Sequence, residues 1–246
     1  MNQKKSNPAG RQTNAINLPA GLYAVATHIG NPDDITIRAM EILRKCDAVI
    51  CEERREGIRL IKSLGIEKPL HFLNEHSKPI EIKQLFEDLL IMKDKAIALI
   101  SDAGTPGFAD PGAELAALCH DYDVKVYPVP GASSLMAALS ASGLKADKFL
   151  YYGFLSAKKE ERQAELRQLK TLTKFDIVFL EAPYRLKNVL EDMMKILGRR
   201  RKARLFYKLT QPQQSIITGT LEELAAKSAS LSKGEFVLIL EHESRY

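Results

Sequence analysis

Cysteine is scarce: there are three in 246 residues, Cys46, Cys51 and Cys119, with no Cys-x-x-Cys spacing. An odd count without that spacing argues against a disulfide framework and a thiolate zinc site, and fits the reducing cytoplasm. Long apolar runs are also missing. No stretch approaches the roughly 20 residues that a bilayer span needs. Residues 1–20 are polar and lack the apolar centre of a secretory signal, so they read as a mobile arm. The phosphate-binding pattern GxxxxGK[ST] is absent, and Gly30 stands alone where a dinucleotide fold would carry GxGxxG. Both absences argue against an ordinary ATPase and a nicotinamide dehydrogenase. The histidines are scattered, with no pair at helical spacing beside a third ligand, so no metal is expected.

What is present is an ordinary globular composition, 45% hydrophobic and 27% charged, long enough for one large or two modest domains. Short apolar runs at 22–27, 48–51, 69–73, 96–100 and 124–129 alternate with helical patterns at 35–45, 54–63, 79–92, 113–122 and 133–142. In the first helix Ile35, Ala39, Ile42 and Leu43 share a face, and Asp33 or Asp34 can cap it. Short β-branched strands alternating with helices predict a parallel sheet covered on both sides. The pattern changes after about residue 145. Strands in "DKFLYYGFL", "FDIVFLEA", 203–209, 214–218 and 235–241 are joined in places without a helix. Helices are expected at 157–172, from Pro183 to about 197, and at 221–227. That implies a mixed sheet. The expected division is an N-terminal α/β domain at 21–145 and a C-terminal α/β domain at 146–246.

Open parallel sheets bind ligands beyond the C-terminal ends of their strands. After the five N-terminal strands stand "THIGNPDD", "EERR", "NEHS", "SDAGTPGFADPG" and "PVPGASS". Turn chemistry accounts for any one of these loops; together they place a ring of small and polar residues at one edge. Asp102 beside Ala103 and Gly104 offers a carboxylate next to uncluttered backbone. Ser133 and Ser134 stand at a helix start, where free N–H groups point outward.

The segments "HIGNPDDIT", "SDAGTPGFADPG", "VPGASSLMAALSASGL", "GFLSAKKEER", "EAPYRL" and "KGEFVLILE" occur in this order. Together they resemble the tetrapyrrole methylase superfamily, and within it the branch of ribosomal RNA small subunit methyltransferase I. The resemblance covers about 21–241. It implies a two-domain tetrapyrrole methylase fold, a parallel-sheet N-terminal domain with a mixed-sheet C-terminal domain, and a homodimer. It also implies S-adenosylmethionine in the cleft between the domains and 2′-O-methylation of a cytidine ribose in small-subunit rRNA. Carried over by position, the cofactor residues are Ile29, Gly30, Asn31, Ile100, Ser101, Asp102, Ala103, Gly104, Ser133 and Ser134. Leu180, Glu181, Leu209 and Thr210 join them from the second domain on the resemblance alone. The branch pattern Thr-Pro-Ile-Gly-Asn is here Thr27-His28-Ile29-Gly30-Asn31, and Ala-Glu-Asp-Thr-Arg is here Cys51-Glu52-Glu53-Arg54-Arg55. A methylase of a tetrapyrrole, or a cofactor-binding module without turnover, is the alternative.

A ribose hydroxyl is a poor nucleophile until a base takes its proton. Glu53 or Glu52 is the first choice and Asp102 the second, against the plainer reading of a surface pair balanced by Arg54 and Arg55. His28 is either a base or a neutral loop substitution. Arg185 either contacts a phosphate or pairs with an acid at the helix start, and Tyr184 either stacks on a base or is buried. Net charge is +5. Its densest basic segment, "GRRRKARLFYK", offers Arg199, Arg200, Arg201 and Arg204 to an RNA backbone, unless it is a solvated turn. The expected partner is ribosomal RNA or the small ribosomal subunit.

Overall fold

The computed structural model describes residues 18–74, 76–91, 94–108, 112–172 and 174–242. Most of the expected arm, residue 75 and residues 109–111 of the long loop lie outside them. The first half runs β1 (Gly21–Val25), α1 (Ile37–Lys45), β2 (Ala48–Cys51), α2 (Arg54–Ser63), β3 (Leu70–Phe72), α3 (Pro79–Phe86), β4 (Ala96–Leu99), α4 (Gly112–Asp121), β5 (Val126–Val129) and α5 (Ser134–Ala141). The second runs β6 (Phe149–Gly153), α6 (Lys159–Leu169), β7 (Asp176–Glu181), α7 (Leu186–Leu197), β8 (Lys202–Tyr207), β9 (Ser215–Thr220), α8 (Leu221–Ser228) and β10 (Phe236–Leu240).

The first sheet has the order β3-β2-β4-β1-β5 and is parallel throughout. Chain reversals between parallel strands are right-handed, so crossovers running in opposite directions put their helices on opposite faces. Alternate residues accordingly face different helices. Val49, Cys51, Ala96 and Ala98 pack with α1 and α2, while Ala48, Ile50, Ile97 and Leu99 pack with α3 and α4. β1 and β4 are neighbours whose outgoing connections diverge, one to β2 and the other to β5. A crevice opens at such a switch point, beyond the strand ends.

The second sheet has the order β6-β7-β10-β8-β9. β6 and β7 are parallel and the remaining pairs antiparallel. One face carries α6, α7 and α8 over Ile177, Phe179, Leu205 and Leu238. The other face, with Val178, Phe206, Val237 and Ile239, receives Ala138 and Leu139 of α5 and Ile29 of the β1 loop. The first half thus packs its last helix under the second half's sheet.

Three local readings are corrected. Thr36, not Asp33 or Asp34, caps α1, accepting from the Ala39 N–H at 3.0 Å; Pro32–Asp34 form a 3-10 turn of their own, capped by Asn31. The single helix expected over 79–92 ends at Phe86 and continues as a π-helical turn, Glu87–Ile91. Pro183 does not open α7. The Arg185 N–H bonds to the Ala182 carbonyl at 2.9 Å, closing a turn first, and the helix starts at Leu186.

Candidate cofactor cleft

The loops after β1 and β4 are stapled together. The Thr27 N–H donates to the Gly104 carbonyl at 2.9 Å, and the Gly104 N–H donates back to Thr27 Oγ1 at 3.1 Å. Gly104 has φ +83°, and a Cβ there would stand 2.9 Å from Ile29 Cγ2. Only glycine meets both demands. Thr105 Oγ1 donates to the Ala132 carbonyl at 3.0 Å, joining this pair to the loop before α5. The β1 loop also meets the second half directly. The Asn31 N–H donates to Thr210 Oγ1 at 2.9 Å, and a Cβ on Gly30 would lie 2.7 Å from the Leu209 carbonyl.

Between these loops lies a cleft of about 340 Å³. Ile29, Ala103 and Ser134 line it from the first half; Leu180, Glu181 and Leu209 line it from the second. All six were expected from the sequence, and the structure brings them to one cavity. Gly30, Ile100, Ser101 and Asp102 instead line an adjoining pocket of about 270 Å³. Asn31, Gly104 and Thr210 hold the loops in place, and Ser133 is the N-cap residue of α5.

Sequence reasoning missed Phe154, Phe206, Glu235 and Phe236 in the cleft wall. The strand-end rule was applied to the first sheet only, which left out Phe154 and Phe206 at the ends of β6 and β8, and it does not reach the start of a strand. β10 is antiparallel, so Phe236 pairs with both Glu181 and Tyr207, and the start of β10 reaches the same edge. The signal was the segment "KGEF", a charged and small lead-in to an apolar run.

Glu181 is buried in the cleft wall. Its Oε1 accepts the Leu155 N–H at 3.2 Å, and its Oε2 faces Arg185 Nη1 at 3.1 Å without making a hydrogen bond. Burial pushes the Glu181 carboxyl upward in pKa, with Arg185 opposing. Of the two readings left open for Arg185, a phosphate contact and an acid partner, the structure has the second, beside Glu181, and its place among the RNA-binding candidates is corrected. Arg185 is 8% exposed and donates to the carbonyls of Leu155 at 2.8 Å and Ser156 at 2.6 Å. Arg204 is corrected likewise: it lies in β8, and its guanidinium bonds Glu241 at 2.9 Å and the Ser142 carbonyl. Arg199 and Arg200 do occupy an exposed turn before β8, Arg199 in a 2.8 Å pair with Glu222; Arg201 is half-buried beside them.

Glu53 is the N-cap of α2, and its carboxylate accepts the Arg55 N–H at 3.1 Å. Its own N–H donates to Asp102 Oδ1 at 3.0 Å. Glu52, half-buried, directly follows the end of β2. The β1 loop holds His28 with its Nδ1 buried and without a hydrogen-bond partner; burial first, then the charge of Arg59, lowers its pKa. Tyr184, at 70% exposed, is not buried, and Lys233 Nζ stands 5.5 Å from its ring centre. All three cysteines are buried and free. Burial raises each thiol to about 11, which makes them poor nucleophiles. Among the described residues no cluster of His, Cys, Asp or Glu has the form of a metal site, and no helix is long and apolar enough to cross a membrane.

A parallel sheet and a mixed sheet meeting over an apolar, carboxylate-edged cleft define a two-lobed α/β protein with a cavity between its lobes. A family model described as Tetrapyrrole (Corrin/Porphyrin) Methylases matches residues 21–225, and the chain belongs to this family. It is 40% identical over 222 residues to ribosomal RNA small subunit methyltransferase I of Halalkalibacterium halodurans, covering 89% of this chain and 75% of that one. It is 39% identical over 220 residues to the protein of the same name from Synechocystis, covering 89% and 78%. Among solved structures, a conserved hypothetical protein of Aeropyrum pernix superposes with a TM-score of 0.73 at 17% identity, covering 92% of this chain and 86% of that one. At that identity the likeness speaks for the fold alone.

Proposed function

We propose that this protein is an S-adenosylmethionine-dependent methyltransferase that 2′-O-methylates a cytidine ribose in small-subunit ribosomal RNA. On this reading it works in the cytoplasm as a homodimer, with 21–145 and 146–246 as its two domains. The observation that carries the cofactor is the convergence of Ile29, Ala103, Ser134, Leu180, Glu181 and Leu209, from both halves, on one cleft. The substrate reading leans on the two relatives of one name at 40% and 39% identity.

The residues suit such a cofactor. Ile29, Leu180, Leu209 and Phe206 give apolar walls for a flat purine, while Ala103 leaves backbone within reach of polar groups. The Glu181 carboxylate, which has an oxygen without a hydrogen bond, and Glu235 give the cleft a negative edge suited to a cationic ligand. When bound, the cofactor supplies an electrophilic methyl group. The chain's own task is to align an incoming hydroxyl with it, an orientation effect worth up to about 7–11 kcal/mol in favourable cases, and to accept the hydroxyl proton. Asp102 is assigned that second role, because it lines a cavity while the Glu53 carboxylate caps a helix.

The test is incubation with labelled S-adenosylmethionine and, in separate arms, small ribosomal subunits from cells lacking the protein or tetrapyrrole precursors, followed by mass mapping of the rRNA. One added methyl on a cytidine ribose is expected. Label appearing only in tetrapyrrole precursors would replace the rRNA reading, and absence of calorimetric heat with the cofactor or its demethylated product would end the cofactor reading.

A further inference from the structure

The pocket beside the cleft differs from it in carrying charged side chains of both signs. His28, Glu56, Arg59, Ser101 and Asp102 line it beside apolar residues such as Leu60 and Ile100, where the ionisable side chains of the cleft wall are the carboxylates of Glu181 and Glu235. Two observations join the cavities. Chain neighbours divide between them: Ile29 and Ala103 face the cleft, while His28, Gly30 and Asp102 face the pocket. The β1 and β4 loops are therefore a shared wall one residue thick. In addition, Glu235 of the cleft stands close enough to Glu56 and Asp102 of the pocket to feel their charges.

We propose that this pocket receives the nucleotide to be methylated, with Arg59 binding a phosphate and His28 hydrogen-bonding a hydroxyl or base edge. The proposal rests on the RNA reading above and specifies where the acceptor enters. Arg59 pairs with Glu56 at 3.0 Å, but its side chain is 72% exposed. A pair so exposed holds weakly, whereas a phosphate offers a guanidinium two parallel charge-assisted bonds. His28 also lines the pocket and is only half-buried; a neutral imidazole offers one N–H donor and one acceptor nitrogen, which nucleotide hydroxyls and base edges can partner. Asp102 on the shared wall then lies beside both the acceptor and the cleft.

The experiment compares wild type, Arg59→Ala, Arg59→Lys and His28→Ala. Three quantities are measured: KM for small ribosomal subunits, Kd for a short single-stranded RNA containing cytidine, and Kd for S-adenosylmethionine. Arg59→Ala is expected to raise the KM and the oligonucleotide Kd at least fivefold, with partial recovery in Arg59→Lys. His28→Ala should raise the KM severalfold, and cofactor Kd should stay within twofold throughout. Unchanged KM and oligonucleotide Kd in both alanine variants overturns the proposal, as does an equal loss of cofactor affinity, which would make the pocket part of the cofactor site. Should wild type transfer no methyl to subunits while the oligonucleotide Kd still depends on Arg59, the pocket stands and the proposed rRNA acceptor falls.

Discussion

Glu53 and Asp102 meet through one hydrogen bond, from the Glu53 N–H to Asp102 Oδ1 at 3.0 Å, and their carboxylates then serve different ends. Glu53 satisfies a free N–H at the start of α2, a capping contact worth about 1 kcal/mol. Asp102 borders the pocket. Glu53→Gln should therefore lower the melting temperature slightly and leave turnover within a few-fold. Asp102→Asn should cut turnover by about 10²- to 10⁴-fold, the usual weight of a general base, with cofactor affinity retained. The reverse ranking in single-turnover assays would return the base to Glu53. Glu235 allows a prediction in pH. Burial, then the charges of Glu56 and Asp102, raises its pKa in the folded protein. A carboxyl raised on folding contributes stability that is full below its unfolded pKa and lost as pH rises through the folded value. Glu235→Gln should thus melt higher than wild type at pH 7, and the gap should close towards pH 4. Thermal scans showing the same gap at both pH values would contradict the assignment.

Among the elements, the contact between α6 and α7 includes a buried charge network. Arg162 Nε and Nη2 reach Asp192 at 2.9 and 2.7 Å, and Gln163 Nε2 reaches its other oxygen at 2.7 Å. All three residues are buried. Removing one partner of such a pair strands the other charge and costs about 3–5 kcal/mol. Asp192→Ala should lower stability by that much in denaturant titration; a loss under 1 kcal/mol would mean that water reaches Arg162. None of this network was legible in the sequence, where 157–172 reads only as a charged helix. The strands were legible, because β2, β4, β7 and β10 are short apolar runs bounded by polar loops. Their helices' ends were less so. Pro183 looks like a helix start, yet the bond from the Arg185 N–H to the Ala182 carbonyl defers α7 to Leu186. The site was legible where it hangs from C-terminal strand ends, as at Ile29 and Ala103. It was hidden where an antiparallel strand enters, as at Glu235, because strand direction is set by pairing across the sheet and not by the strand's own residues.

At the scale of the whole molecule, charge and cleft are separated. Arg199 and Arg200 precede β8, whereas Phe206 and Leu209, towards its other end, line the cleft. A strand of six residues puts about 20 Å between them at 3.3 Å per residue. A nucleotide held in the cleft region therefore cannot touch the basic turn; only a large substrate bridges both. On the proposed reading this divides the work of the two surfaces: the pocket would select the acceptor, and the turn would add sequence-independent attraction through counterion release, with roughly one unit of salt slope per phosphate contact. The surface pair of Arg199 with Glu222 is no obstacle, since exposed pairs are worth about 0–1 kcal/mol. The double variant Arg199→Ala/Arg200→Ala should bind small ribosomal subunits about tenfold more weakly at low salt. Its log Kd against log salt should be shallower by about 1–2 units, while cofactor affinity and short-oligonucleotide affinity are unchanged. An equal loss for the short oligonucleotide would put the turn beside the acceptor, which the length of β8 forbids. No loss for the subunit would make the turn only the solvated link between α7 and β8.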